Sequence, residues 1–151
     1  MPQSYIKRIL NARIYDLAVE TPLEQAPLIS ARIGNNVLLK REDLQPVFSF
    51  KIRGAYNKIS QMGAVKGIVA CSAGNHAQGV AKSCSILEIP AVIVMPLATP
   101  KIKLEAVAKH GGPNVEVRLH GNTYDEAAAE AKRLVEEEGL TLVHPFDDPL
   151  V

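Results

Sequence analysis

The sequence predicts an α/β fold built on an open, mainly parallel sheet with helices on both faces. Two observations carry that expectation. From Gly67 onward, short β-branched runs alternate with stretches of helical spacing. The junctions between them hold residues that start and stop helices. Length bounds the result: 151 residues are ample for one domain with a core and too few for two of full size.

The first third of the chain is the less regular part. It is expected to hold a helix around Ser4 to Asn11, an extended "TPL" at Thr21, a helix near Leu28 to Ile33 and a strand in "NVLLKRE". Ile52, Ala55, Tyr56 and Ile59 then recur at i, i+3, i+4 and i+7, marking a helix with Ser49 as its cap and Lys51 in its first turn. "GIVA" opens the alternation, followed by a helix from about Asn75 to Leu87 and the strand "AVIVM". Thr99 and Pro100 offer an N-cap and a first-turn proline for the next helix. "VEVRL" follows, then a helix with the capping-box pair Thr123 and Glu126, closed by Gly139, and lastly "LTLV". In that last helix Ala127, Ala131, Leu134 and Val135 share one face, and the charges at Glu130, Lys132 and Glu136 to Glu138 read as a solvated face and its rim. The closing "HPFDDPLV" follows a strand-like run with no helix behind it, so the chain reads as a fragment.

Charge and composition narrow the function. Lys and Arg number 17 against 16 Asp and Glu, a net charge of +1 with no basic block, so nucleic acid is not an expected partner. The longest apolar run, "IPAVIVMPLA", is too short to cross a bilayer and is broken by prolines, and Met1 to Leu10 lacks the order of a signal peptide. No membrane partner is expected. Cys71 and Cys84 make neither a disulfide framework nor a zinc-ligand pair. No metal is expected, and the chain suits a reducing, intracellular compartment, the cytoplasm or an organelle.

Two stretches carry chemistry. In "SFKIRG", Lys51 stands in the first turn of a helix, where the positive end of the dipole and burial both favour a neutral amine. Neutral amines form Schiff bases with carbonyls, and Phe50 could offer a flat apolar surface to a planar cofactor. From position alone, a plain exposed helical lysine is the more common reading. In "CSAGNHAQG", small residues let a ligand approach the backbone, and the first N–H groups of the following helix can hold an anion. A tight strand-to-helix turn without a ligand is the alternative. The stretch has neither the Walker ending nor the Gly-x-Gly-x-x-Gly spacing. "ACSAG" also approaches a nucleophile elbow, with Ser72 as nucleophile and Asp125 with His144 as the only tidy partners, while "HGG" at His110 follows the serine where the elbow needs it ahead.

Taken together, "TPL" at Thr21, "LLKREDLQPVFSFKIRGAYNKI" at Leu38 to Ile59, "SAGNHAQGVA" at Ser72 to Ala81 and "VIVMP" at Val92 to Pro96 resemble the serine/threonine dehydratase family of pyridoxal-phosphate enzymes. The fold type is the one shared with tryptophan synthase β, here incomplete, and the resemblance is greatest to the biosynthetic threonine deaminases of isoleucine formation. It implies that Lys51 holds pyridoxal 5′-phosphate covalently with Phe50 beside the ring, and that Asn75 bonds the cofactor's 3′ oxygen. The substrate carboxylate would rest on Ser72, Ala73, Gly74, Asn75 and His76, the last through its backbone. The implied reaction takes L-threonine to 2-oxobutanoate and ammonia, and L-serine to pyruvate, in a full-length homo-oligomer. The resemblance also places the phosphate-binding loop and the residue facing the pyridine nitrogen outside this chain, which alone would be inactive. Residues 1–62 would belong to the large cofactor domain and 63–151 to the small α/β domain. Racemase relatives carry a serine where this chain has Ala73, so racemisation should be poor. Two other readings stay open: a noncatalytic binding or interaction module, and a serine hydrolase using Ser72.

Overall fold

The computed structural model describes the backbone of residues 2–151 and the side chains of residues 5–151. Met1, the first residue of the stretch read for a leader, lies outside the described residues. The organising element is a four-stranded, all-parallel sheet in the order β5-β4-β3-β6. Its strands are β3 (Ile68–Cys71), β4 (Ala91–Met95), β5 (Val115–Leu119) and the short β6 (Thr141–Leu142). Register runs from Ile68 opposite Ala91 to Cys71 opposite Val94, and Ile68 faces Thr141 on the other side.

Strand alternation divides the apolar residues between two faces. Ile68, Ala70, Ile93 and Met95 point to one face. There they meet Ala55 and Ile59 of α3 (Lys51–Ser60), Ala77, Val80, Ala81 and Cys84 of α4 (Asn75–Ile86), and Val107 of α5 (Lys101–Gly111). Val69, Cys71 and Val94 point to the other and meet Ala127, Ala131 and Leu134 of α6 (Tyr124–Glu138). All four residues of β3 are buried, as expected of a central parallel strand covered on both faces.

The first part of the chain adds α1 (Pro2–Asn11), α2 (Pro27–Ile33) and a separate antiparallel hairpin of β1 (Leu23–Gln25) with β2 (Leu38–Lys40). The strand expected over "NVLLKRE" therefore shrinks to three residues, because Arg41 onward turns into a short 3-10 helix over Glu42–Leu44.

Three local expectations need correction. Thr99 does not cap α5: Pro100 is the N-cap residue, and the Thr99 Oγ1 atom is buried without a partner among the described residues. Ser49 stands one position ahead of the N-cap Phe50, although its hydroxyl still accepts the Lys51 amide at 3.3 Å. Glu130 is not on a solvated face. It is buried, because Arg133 and Arg118 reach over it from the helix and from β5, at 2.7 and 3.5 Å. Those cations hold its carboxyl down at about 2, with Arg133 the larger influence. The Thr123 cap forms as expected, its hydroxyl accepting the Glu126 amide at 3.2 Å, while the Glu126 carboxylate turns to the Asn122 amide. Among the described residues, no helix is long and apolar enough to cross a membrane.

Candidate active site

Both chemical stretches come to the same end of the fold. In a parallel sheet the loops after the strands gather at the carboxyl edge, and Ser72 to Gly74 is such a loop, between β3 and α4. Lys51 is brought there by helix packing. A Cβ at Gly79, one turn into α4, would lie 3.1 Å from the Lys51 carbonyl oxygen and 3.3 Å from the Ile52 Cα. A side chain there would press the two backbones apart by a few tenths of an ångström, and the closeness sets the first turn of α3 beside the first turns of α4.

The Lys51 side chain is half-buried. Its Nζ lies 5.6 Å from the centroid of the Phe50 ring and donates to the Pro145 carbonyl at 2.5 Å. The Phe50 ring is 60% exposed, so its flat face is free to meet another planar group.

The loop itself is shaped from within. The Ser72 hydroxyl accepts the Gly74 amide at 3.2 Å, which leaves its own proton available to an acceptor. Ala73 and Gly74 are partly exposed, Asn75 is exposed, and the space around the Cβ position of Gly74 is empty. The amides at the start of α4 have no intrahelical acceptors, so they face that open space as anion donors. His76 differs from its neighbours in being only 3% exposed. Its ring turns inward and its Nε2 sits 2.9 Å from the Val143 carbonyl, which can only accept, so the proton is on Nε2. Nδ1 is left as a buried acceptor without a partner among the described residues. Burial above all pushes the His76 pKa down; the bond to Val143 opposes this, and the charge of Lys51 adds to it.

Behind Lys51 stands a polar clasp that the sequence did not advertise. Glu42 accepts from Arg53 Nε at 2.7 Å and Nη2 at 2.9 Å, from the Thr21 hydroxyl at 2.5 Å and from Gln45 Nε2 at 3.2 Å. Arg53 and Gln45 each also bond the Val19 carbonyl. The clasp ties the "TPL" stretch to α3 two residues past Lys51. Its only written signal is the charge run "KRED", which alone is equally a solvated surface.

The serine-hydrolase partners are not brought together by hydrogen bonds among the described residues. Ser72 bonds Gly74, and Nδ1 of His144 accepts the amides of Phe146 and Asp147. A cleft of about 650 Å³ is lined by Arg8, Ile14, Arg53, Asn57, Leu150 and Val151 among others, and includes neither Lys51 nor Ser72 to His76. The Lys51 amine, the Phe50 ring and the amides that open α4 lie outside that cleft, at the end of the fold where α3 and α4 begin side by side. An amine beside an exposed aromatic ring, with helix-start amides and a hydroxyl proton at the same end of the fold, fits pyridoxal phosphate carrying an amino acid.

Residues 14–151 match the family described as pyridoxal-phosphate dependent enzymes. The chain is 57% identical over 150 residues to a biosynthetic L-threonine dehydratase of Burkholderia multivorans, covering 97% of this chain and 30% of that protein. It superposes on the processed form of threonine deaminase isoform 2 from Solanum lycopersicum with a TM-score of 0.91 at 49% identity, covering 97% of this chain and 40% of that one. On maize serine racemase the TM-score is 0.88 at 34% identity, with 96% and 45% covered. The chain thus spans about a third of the length of that curated relative. With the match running from Ile14 to the last residue and taking in both Lys51 and the Ser72 to His76 loop, the chain belongs to the family of pyridoxal-phosphate dependent enzymes.

Proposed function

We propose that, in the full-length protein, this chain supplies the cofactor lysine and the substrate-carboxylate cradle of an enzyme that converts L-threonine to 2-oxobutanoate and ammonia, and L-serine to pyruvate. The observation that carries the reading is the convergence of the Lys51 amine and the "SAGNH" loop, held by the α3 to α4 contact at Gly79. Likeness to proteins named threonine dehydratase and threonine deaminase supports the choice of substrate.

Pyridoxal phosphate, when bound, supplies a ring that accepts the electron pair released at Cα. The residues of this chain do the rest. Lys51 Nζ would hold the cofactor and, once displaced by the substrate's amino group, would take the Cα proton as general base. Phe50 would lie against the ring, and Asn75 would donate to its 3′ oxygen. The Ser72 hydroxyl proton and the backbone amides of Ala73, Asn75 and His76, joined by that of Gly74 once it leaves the Ser72 oxygen, would hold the substrate carboxylate and so fix which bond at Cα is presented to Lys51. Loss of the β-hydroxyl and hydrolysis of the released enamine then give the products. The chain by itself is proposed to be inactive, since the resemblance puts the phosphate-binding loop elsewhere in the protein.

Lys51→Ala in the full-length protein tests the reading. It should abolish both the absorbance band of the lysine-bound cofactor and ammonia release from threonine. Near-normal 2-oxobutanoate production by that variant, without added amine, would overturn the assignment.

A further inference from the structure

The segment leaving β6 folds back over the first turn of α3. At its base, the Val143 carbonyl meets His76 Nε2 at 2.9 Å. Two residues on, the Pro145 carbonyl accepts from Lys51 Nζ at 2.5 Å. Farther along, Asp148 pairs with Lys58 at 2.8 Å and Asn57 Nδ2 donates to the Leu150 carbonyl at 2.7 Å, tying the segment along α3. Between the two ends the turn has one side chain folding it from inside. His144 Nδ1 accepts the Asp147 amide at 2.8 Å and the Phe146 amide at 3.4 Å. Its ring meets the Phe146 ring edge-on, with centroids 4.7 Å apart. This is the work an Asn or Asp side chain does when it folds a turn on the amides two and three residues ahead. It requires a bare Nδ1 lone pair, so the proton of this imidazole is on Nε2.

We propose that His144 is a positioning residue for Lys51: by folding the 144–147 turn on its Nδ1, it holds the Pro145 carbonyl where the Lys51 amine finds a fixed acceptor. The lysine stem has four rotatable carbons, and a free amine at its end would otherwise sample many places. With the acceptor fixed, the amine stays at the face where Phe50 and the Ser72 to His76 loop converge whenever it is not covalently engaged. The meaning of this for catalysis rests on the proposed role of Lys51, but the contact itself does not.

The test uses the full-length protein freed of cofactor and trace-labelled with an amine-acetylating reagent, with the Lys51 peptide quantified by mass spectrometry against exposed Lys103. His144→Phe keeps an aromatic ring against Phe146 and removes the acceptor. Losing one hydrogen bond to the amine should raise Lys51 labelling about fivefold. His144→Asn, whose side-chain oxygen can take the same amides, should stay within about twofold of the parent. Should His144→Phe fail to fold, Asp147→Pro removes the closer amide while sparing the imidazole and should give the same rise. Unchanged labelling in a folded His144→Phe or Asp147→Pro variant, or His144→Asn behaving like His144→Phe, would overturn the proposal. The two readings fail separately. Labelling that depends on His144 in a protein without dehydratase activity would sink the proposed function alone, and activity with labelling indifferent to His144 would sink this inference alone.

Discussion

Replacing Glu42 by Gln keeps the shape of the clasp behind Lys51 and removes its charge. The Arg53 guanidinium holds the Glu42 carboxyl at about 2, down from 4.5, with Thr21 and Gln45 contributing lesser hydrogen bonds against the cost of burial. A shift of that size corresponds to about 3 kcal/mol in favour of the charged, folded form. The pair is partly open to water, with side-chain exposures of 22% for Arg53 and 16% for Glu42, so screening lowers the expected loss to about 2 kcal/mol. In urea, with a slope of about 2 kcal/mol per molar, Glu42→Gln should bring the unfolding midpoint down by about 1 M. Because the folded-state pKa is depressed, the stabilisation is complete above pH 4.5 and is lost as pH falls through about 2. The gap between parent and variant should therefore have narrowed by about 1 kcal/mol at pH 3.5. A midpoint within about 0.2 M of the parent, equivalent to about 0.4 kcal/mol at that slope, would refute the reasoning. So would a gap that stays constant from pH 7 into acid.

Three further outcomes are expected. Gly79→Ala gains helix propensity of about 1 kcal/mol but forces the first turn of α3 away by a few tenths of an ångström, and overpacking of about 1 to 3 kcal/mol should win; a rise in thermal midpoint would show that α3 can yield. In the full-length protein, Ala73→Ser places a hydroxyl in the carboxylate loop and should raise D-serine formation from L-serine on long incubation, read by chiral chromatography; no gain over the parent would mean that Ala73 is not what blocks racemisation. Titrated with pyridoxal phosphate, the 151-residue chain alone should bind weakly and release no ammonia from threonine. A stoichiometric cofactor band together with ammonia would contradict the need for a further phosphate loop.

The parts of the fold that are local in origin were legible in the sequence. β-branched runs and helical spacing located all four parallel strands and the helices between them, and Thr123 and Gly139 stand at the ends of α6 as their chemistry requires. What was hidden depends on neighbours distant in the chain. Glu130 reads as one charge in a surface run until Arg118 of β5 arrives above it. Gly79 reads as a weak point in a helix until the Lys51 carbonyl arrives beside it. The two motifs of the candidate site were visible separately, and the resemblance joined them. The Pro145 acceptor and the His144 turn were not visible, because a backbone carbonyl leaves no mark in a sequence and the imidazole acts on amides of its own loop.

The contact at Gly79 has a mechanical side. Ala55 and Ile59 anchor α3 in the core shared with α4 and the parallel sheet, so the helix that carries Lys51 and the Ser72 to His76 loop ride on a single chassis. The hairpin of β1 and β2 reaches that chassis through the Glu42 clasp and the short run from Gln45 to Phe50, where Phe48 already adopts a left-handed φ of 56°. With Val47 buried against Ile52 and the clasp closing across it, that run carries the hairpin along with α3, and the spacing between the Lys51 backbone and the Ser72 to His76 loop is set by one packed unit.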